Sequence, residues 1–255
     1  MTKSQADHPW QCPAGLWLRW LAAMLLVLAL LLPAFLLSPG IPGSDGLLRL
    51  WWGLSLSASK YGLFWVALGF SLMLGASVRQ LLRVLLPVLL MIGAGAWINE
   101  HLVKPSVAQP RPDIMFLASA AAGPVLPEGA GAFYDLPDKA SRSQRLEQAW
   151  GTAALKLPVL LQEHWTEETG YSFPSGHAFA ATALAAWLSL WVICRGRRRW
   201  LLPLFWGWML AVCYSRIELG VHRPVDIGAG ALEGLVLVVL LSLVLDGWVR
   251  YRSRG

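Results

Sequence analysis

Residues 174–199 read Pro-Ser-Gly-His-Ala-Phe-Ala-Ala-Thr-Ala-Leu-Ala-Ala-Trp-Leu-Ser-Leu-Trp-Val-Ile-Cys-Arg-Gly-Arg-Arg-Arg. A polar string leads into an apolar run, Ala178 to Cys194, which ends in a cluster of arginines. The run approaches the ~20 residues that a helix needs to cross a bilayer, and the arginines mark the end that stays on the charge-retaining side. Working outward, five more apolar segments stand at about residues 16–37, 61–78, 82–103, 200–217 and 227–247, bounded by Trp, Arg and Pro/Gly. The expectation is an all-α, polytopic bundle of six membrane helices, a single domain over residues 1–255.

Composition agrees with a membrane chain. Of 255 residues, 56% are hydrophobic, 14% are charged and 15 are Trp, with a mean hydropathy of +0.52, which is too apolar for a soluble domain. The net charge of +6 does not point to nucleic acid, because the basic residues gather in short loops between apolar runs. Cys12, Cys194 and Cys213 form no CxxC pair, so neither a disulfide framework nor a zinc site is readable and they are taken as packing residues. The first apolar segment is longer than a signal-peptide core, and Leu36-Leu37-Ser38-Pro39-Gly40 is a poor cleavage site, so it counts as a membrane helix.

One side of the expected bundle collects Lys3, Arg79, Arg83, Arg195, Arg197, Arg198, Arg199, Arg250, Arg252 and Arg254 against Asp7 and Asp246. The positive-inside rule makes that side, and both termini, cytoplasmic. Arg19, between Trp17 and Trp20, reads as an interfacial residue at the inner end of the first helix. The connection between helices three and four then faces outward. Residues 113–138 of this connection read as Ala/Gly/Pro-rich loop. Residues 139–165 have helical periodicity, with Arg142, Arg145 and Glu147 before Leu155, Leu157, Val159, Leu160 and Leu161. That stretch suits either an interfacial gate that guides a lipid headgroup or a packed cap on the bundle.

Three strings fall on this outer side: Lys104 with Arg111-Pro112, Pro174-Ser175-Gly176-His177, and Ser215-Arg216 followed by His222 and Asp226. Together they hold what hydrolysis of a phosphomonoester requires. Lys104, Arg111 and Arg216 form a positive clamp, in which guanidinium forks make two-point contacts with phosphate oxygens. Ser175 and Gly176 open a membrane helix, where free amides and the positive dipole end favour an anion. Ser175 is also an ordinary N-cap in form. His222, with Asp226 four residues on, reads as a nucleophile whose far ring nitrogen is held by the carboxylate. His177 reads as the acid that protonates the leaving oxygen and then activates water. His8, His101 and His164 are taken as ordinary hydrogen-bonded histidines. Glu233, two turns beyond Asp226, is placed facing protein, against Tyr214 or Arg216. Glu218 and Arg223 are assigned to the rim.

This tripartite pattern resembles the PAP2 (type 2 phosphatidic acid phosphatase) superfamily. Within it, His164-Trp165-Thr166-Glu167-Glu168-Thr169-Gly170-Tyr171-Ser172-Phe173 and Phe133-Tyr134 are similar to the bacterial phosphatidylglycerophosphatase B subfamily. The resemblance implies a six-helix bundle of the PAP2/acid-phosphatase type with a periplasmic helical insertion, here 113–165. It implies no metal or other cofactor, and hydrolysis of phosphatidylglycerol phosphate and related lipid phosphates through a phosphohistidine. The expected partners are the bilayer and its lipid phosphates, with neither nucleic acid nor an obligate protein partner. An undecaprenyl pyrophosphate phosphatase is the alternative. A non-enzymatic lipid-phosphate binder or flippase is the rival from another class, and it would have no need of His177, His222 and Asp226.

Overall fold

A computed structural model describes residues 12–36, 44–123, 125–153, 155–196 and 198–252. Among these there are helices and no strands. The chain runs through α1 (Ala14–Ala29), α2 (Asp45–Ser57), α3 (Gly62–Met73) and α4 (Val78–Ile98). After α4 come four short helices, α5 (Pro112–Leu117), α6 (Gly129–Tyr134), α7 (Lys139–Thr152) and α8 (Val159–Glu167). Three long helices finish it: α9 (Gly176–Arg195), α10 (Leu202–Glu218) and α11 (Pro224–Arg252).

The expected six-helix bundle is corrected to five helices that are long and apolar enough to cross a membrane: Ala14–Leu36, Val78–Val107, Gly176–Arg195, Arg199–Glu218 and Pro224–Trp248. The expected second crossing, 61–78, is helical only over the 12 residues of α3. At 1.5 Å per residue such a helix is ~18 Å long, short of the ~30 Å hydrocarbon core. It follows α2, which the apolar scan passed over because Gly53, Ser55 and Ser57 dilute its hydropathy. Local chemistry starts α2 all the same: Ser44 Oγ accepts from Leu47 N, and Asp45 sits in the first turn. The two pieces lie in series. Leu48 of α2 belongs to a cluster with Leu219 and Val221, whereas the Met73 carbonyl at the end of α3 accepts from Arg198 at the opposite end of the bundle.

The connection 113–165 is corrected too. The stretch expected as loop contains α5 and α6, and the expected amphipathic helix is broken between α7 and α8, where Ala153 is extended (ψ 133°) and Pro158 caps the next helix. These helices enclose a core of Ile114, Leu117, Leu126, Phe133, Leu146 and Trp165 that continues into Leu219 and Val221. Leu155, Leu157 and Leu160 pack against that core, so the packed-cap alternative describes them, and Val159 is the exposed one at 68%.

The central helix is α9, buried at every residue from Ala178 to Val192. A helix that is apolar all round must be enclosed by others, and its run of alanines lets neighbours come close. On α11, a Cβ at Gly230 would lie 2.2 Å from the Ser175 carbonyl oxygen, and one at Gly234 would lie 2.4 Å from the Phe179 oxygen. At the arginine-rich end, Cys12 and Cys194 form a disulfide, which corrects their reading as mere packing residues. This bond ties the start of α1 to the end of α9 across 182 residues of chain, a pairing that no sequence spacing announces. Cys213 is free and buried.

The closeness of α9 and α11 generates a test. Gly230→Ala should force the helices apart, with a cost of about 1–3 kcal/mol typical of overpacking. Thermal unfolding in detergent should show a lower Tm. Gly228→Ala, where a Cβ meets nothing within 4 Å, should do neither.

Candidate active site

Backbone hydrogen bonds draw the three strings together. Ser172 N donates to Gln109 O, and Ser175 N donates to Asp226 O, each at 2.9 Å. Arg223 Nη1 donates to Pro110 O at 3.0 Å, and Arg111 Nη1 donates to Val221 O at 3.3 Å. The first string is aimed by an irregularity in its helix. After α4 the chain makes a π-helical turn, Asn99–Val103, and one last turn, Lys104–Val107, before Ala108 in the left-handed region (φ 51°) ends it. Asn99 Nδ2 donates to Glu233 Oε2 at 2.9 Å. This is the partner of Glu233, whereas the Tyr214 hydroxyl donates to Leu30 O.

Arg111 and Arg216 have 1% and 0% exposure. Arg111 Nε donates to Gly170 O at 2.9 Å, and its Nη2 meets Glu168 Oε2 at 2.7 Å. Arg216 Nη2 meets Glu168 Oε1 at 2.8 Å, while its Nη1 donates to Ser55 Oγ and lies 3.3 Å from His164 Nε2. One carboxylate thus bridges both guanidinium groups. Burial alone would raise the Glu168 pKa, but Arg216 and Arg111 outweigh it and hold the carboxyl well below its usual range. Burial, with help from Arg216, pushes His164 down to about 3. It is therefore neutral, and its Nε2 lone pair can accept from the guanidinium.

The second string is built as expected at its cap. Ser175, fully buried, accepts from Ala178 N at 3.4 Å. Its own amide is taken by Asp226 O, so any anion-binding amides are those further into the turn. A Cβ on Gly176 would meet nothing within 4 Å, because that position faces open space. In the third string, His222 Nδ1 stands 3.5 Å from Asp226 Oδ2, and its Nε2 stands 3.5 Å from Arg111 Nη1. The first separation exceeds a normal hydrogen bond. Asp226 Oδ2 accepts from Arg223 N at 2.8 Å. Burial, with Arg111 and Arg216 close by, pushes the His222 pKa well down.

Lys104, Arg111, Gly176, His177 and His222 line one cavity of about 920 Å³. Ser175, Arg216 and Asp226 stand behind that wall, joined to it through bonds already described. Sequence reasoning missed four supports. Glu168 was quoted only as part of a resembling stretch, although two buried arginines demand an acid nearby. His164 was set aside as ordinary. Ser55 lies on the overlooked α2. Tyr134 donates its hydroxyl to no residue of the strings but accepts from Arg111 N at 3.0 Å, and its ring stacks on Tyr171 with Arg142 over both. Elsewhere, His101 stacks on Trp97, and His8 lies outside the described residues. Among the described residues, no group of three or more His, Cys, Asp or Glu is placed to hold a metal ion.

The cavity also has an apolar side. Leu63, Phe64, Leu89, Ile92 and Ala96 continue its wall away from the cations, between α3 and α4. Tyr61 and Phe64 there are 71% and 52% exposed.

The described residues thus form a bundle with five helices long and apolar enough to cross a membrane and a cavity lined by Lys104 and Arg111. The PAP2 superfamily model matches residues 84–250, and the chain belongs to that superfamily. It is a multi-pass membrane hydrolase of the PAP2 type. It is 28% identical to phosphatidylglycerophosphatase B of Escherichia coli K12 over 204 residues, 80% of this chain and 72% of that one. It is 35% identical to phosphatidylglycerophosphatase B of Haemophilus influenzae over 155 residues, 57% of each chain. It is also similar to the crystal structure of a transmembrane PAP2-type phosphatidylglycerolphosphate phosphatase from Bacillus subtilis, with a TM-score of 0.47 and 18% identity over 94% of this chain and 96% of that one.

A buried acid beside the site yields a pH test. Asp113, 2% exposed, has neither carboxylate oxygen paired, and burial pushes its pKa up to about 7 from 3.8 despite the pull of Arg111. Between those values the folded state binds more protons than the unfolded one, so this group's contribution falls as pH rises through that window. Asp113→Asn should therefore raise the Tm at pH 8, and the gain should vanish by about pH 4. Thermal unfolding across pH in detergent checks it.

Proposed function

We propose that this chain removes the terminal phosphate from lipid phosphomonoesters of the phosphatidylglycerol phosphate type through a phosphohistidine on His222. The observation that carries this reading is the disposition of the His222 ring: Nδ1 towards Asp226, Nε2 towards Arg111, in one cavity with His177. With Nδ1–H turned to the carboxylate, the lone pair of Nε2 faces the cations that would hold the phosphate. Nε2 attacks phosphorus, the bond to the lipid oxygen breaks, and His177 gives that oxygen a proton. Neutral His177 then takes a proton from water as the water oxygen attacks phosphorus. The phosphorus–nitrogen bond breaks, and His222 regains its lone pair as phosphate leaves. Arg111, Arg216 and Lys104 balance charge on the transferring oxygens throughout. The names of the bacterial relatives supply the lipid, and the apolar wall beside the cations supplies room for its tails.

His222→Ala should abolish turnover, a loss of at least a thousandfold in kcat. His177→Ala should slow release of the alcohol and of phosphate while leaving Nε2 able to be phosphorylated. Phosphate release from a panel of phosphatidylglycerol phosphate, phosphatidic acid and glycerol 3-phosphate by purified protein tests both mechanism and substrate. Substantial activity in the His222 variant would remove the nucleophile. Equal kcat/KM on lipid and soluble esters would remove the lipid assignment, because each buried methylene is worth about 0.8 kcal/mol.

We also propose that the protein resides in the bacterial inner membrane with the site end towards the periplasm and both termini in the cytoplasm. The excess of Lys and Arg at the other end supports this. The Cys12–Cys194 bond at that same end weighs the other way, since disulfides persist in oxidising compartments. The charge bias, spread over many residues, is given more weight. In a cysteine-free background, Gln144→Cys should react with a membrane-impermeant thiol reagent in intact cells, and Arg199→Cys should react only after lysis. The reverse pattern would invert the orientation.

A further inference from the structure

An acid interrupts the apolar run of α11, in the stretch Ala231-Leu232-Glu233-Gly234-Leu235. An ionisable side chain placed there is costly unless it meets a polar partner inside the bundle. Glu233 has one: its Oε2 accepts from Asn99 Nδ2 at 2.9 Å, and Asn99 is 6% exposed. The hydrolysis described above gives neither residue a task. Asn99 nevertheless stands in the wall of the cavity that holds Lys104, His177 and His222. Glu233 lies seven residues beyond Asp226, about 10 Å further along the same face of the helix.

Local chemistry explains why Asn99 matters to Lys104. Asn99 opens the π-helical turn Asn99–Val103, and Pro105 follows directly after Lys104. In a regular helix the Pro105 ring would strike the His101 carbonyl, four residues back, and would offer it no N–H. Widening the turn by one residue relieves that conflict, and the Lys104 amide then donates to Asn99 O. Asn99 thus has two partners at once: its carbonyl takes the Lys104 amide, and its side-chain amide is held by Glu233. Glu100 Oε2 accepts from Lys104 Nζ at 2.9 Å, which aims the head of the side chain. Glu100 rides on the same turn, however, so this contact cannot fix the turn against the rest of the site. The bond from Asn99 to Glu233 ties it to another helix.

That other helix also carries the third string's acid. In the first turn of α11, Asp226 Oδ2 stands beside the His222 ring, and the Asp226 carbonyl accepts from Ser175 N. We propose that Glu233 is a positioning residue, which sets Lys104 against His222 by holding Asn99 and, through it, the backbone of the π-helical turn. This rests on the function proposed above, in which Lys104 balances charge on the transferring phosphate oxygens. The helix α11 then acts as a ruler: Asp226 places the nucleophile at one mark, and Glu233 places the ammonium group at the other. Glu233 itself touches no substrate. The role requires of it an oxygen that accepts from Asn99 Nδ2, and not a negative charge.

The test is kcat/KM for phosphatidylglycerol phosphate in detergent, with the Kd for inorganic phosphate and the Tm measured on the same preparations. Glu233→Ala should lower kcat/KM and raise the Kd, each about tenfold. Glu233→Gln, whose amide oxygen can still accept from Asn99, should stay within about twofold of the unmodified protein. Asn99→Ala cuts the same bond from the other side and should match Glu233→Ala. The decisive comparison is made in a Lys104→Ala background, where adding Glu233→Ala should change the Kd by less than about twofold, because no ammonium group is left to misplace. If Glu233 only stabilises the bundle, its loss should lower the Tm and multiply with that of Lys104→Ala, which would overturn the proposal. So would Glu233→Gln that is as damaging as Glu233→Ala, or Glu233→Ala without effect. Should Glu233→Ala not fold, Asn99→Ala in the Lys104→Ala background decides by the same criterion. An unmodified protein that neither binds phosphate nor releases it from any lipid would instead overturn the underlying function.

Discussion

Two guanidinium groups with almost no exposed surface, Arg111 and Arg216, share the carboxylate of Glu168, and much of the architecture follows from the need to keep that arrangement satisfied. An unpaired charge withdrawn from water costs several kcal/mol, even after the protein relaxes. One carboxylate between two cations leaves a net positive charge, so the remaining guanidinium hydrogens need neutral acceptors. The Gly170 and Val221 carbonyls serve Arg111, and the Ser55 hydroxyl and the neutral ring of His164 serve Arg216. Those acceptors come from α2, α8, the loop after α8 and the turn between α10 and α11. The cap helices between α4 and α9 are thus required by the chemistry of the charges beneath them, and their apolar core holds these acceptors in place.

The membrane side of the structure provides the complementary rigidity. Close contact of Gly230 and Gly234 with the backbone of α9 fixes the start of that helix against α11, and the hydrogen bond from Ser175 N to Asp226 O then sets two of the strings at a constant distance. The remaining one, the first string, is aimed by the π-helical turn before Lys104. An extra residue in one turn rotates everything after it relative to a regular helix, and here it turns Lys104 into the cavity, with Asn99 held by Glu233 at the same level of the bundle. A partly buried acid two turns below Asp226, Glu233, therefore supports the first string and not the third.

The chemistry was more legible in the sequence than the path of the chain. Lys104, Arg111, His177, His222 and Arg216 could be chosen because their residue types and order answer one chemical requirement, and the structure places the first four in the wall of one cavity and Arg216 behind it. The helices α1, α4, α9, α10 and α11 were visible as apolar runs. What could not be read were features set by partners far away in the chain. Nothing near Ser55 announces a guanidinium 161 residues on, and hydropathy alone merges α2 and α3 into an incomplete crossing or misses one of them. The helices α5 and α6 occur in an Ala/Gly/Pro-rich stretch whose propensities argue for loop; the aromatic and aliphatic residues Phe133, Ile114 and Leu117 override them by burial. Glu168 was hidden differently, since its local sequence is unremarkable for a surface turn and only the two buried arginines make it necessary.

The same charge accounting explains how a strongly cationic site is held in a largely apolar chain. Each cation pair has one carboxylate across it: Glu168 between the arginines and Glu100 between the lysines. Half of the positive charge is thereby neutralised from within, which limits repulsion among four cations crowded at one end of the bundle, while the unbalanced half remains to attract an anion. Full neutralisation would leave no field to draw a phosphate in, and none would leave cations that could not be buried. The guanidinium groups, which hold a fixed fork, are the fully buried cations, whereas an ammonium is more strongly hydrated and Lys139 still meets water.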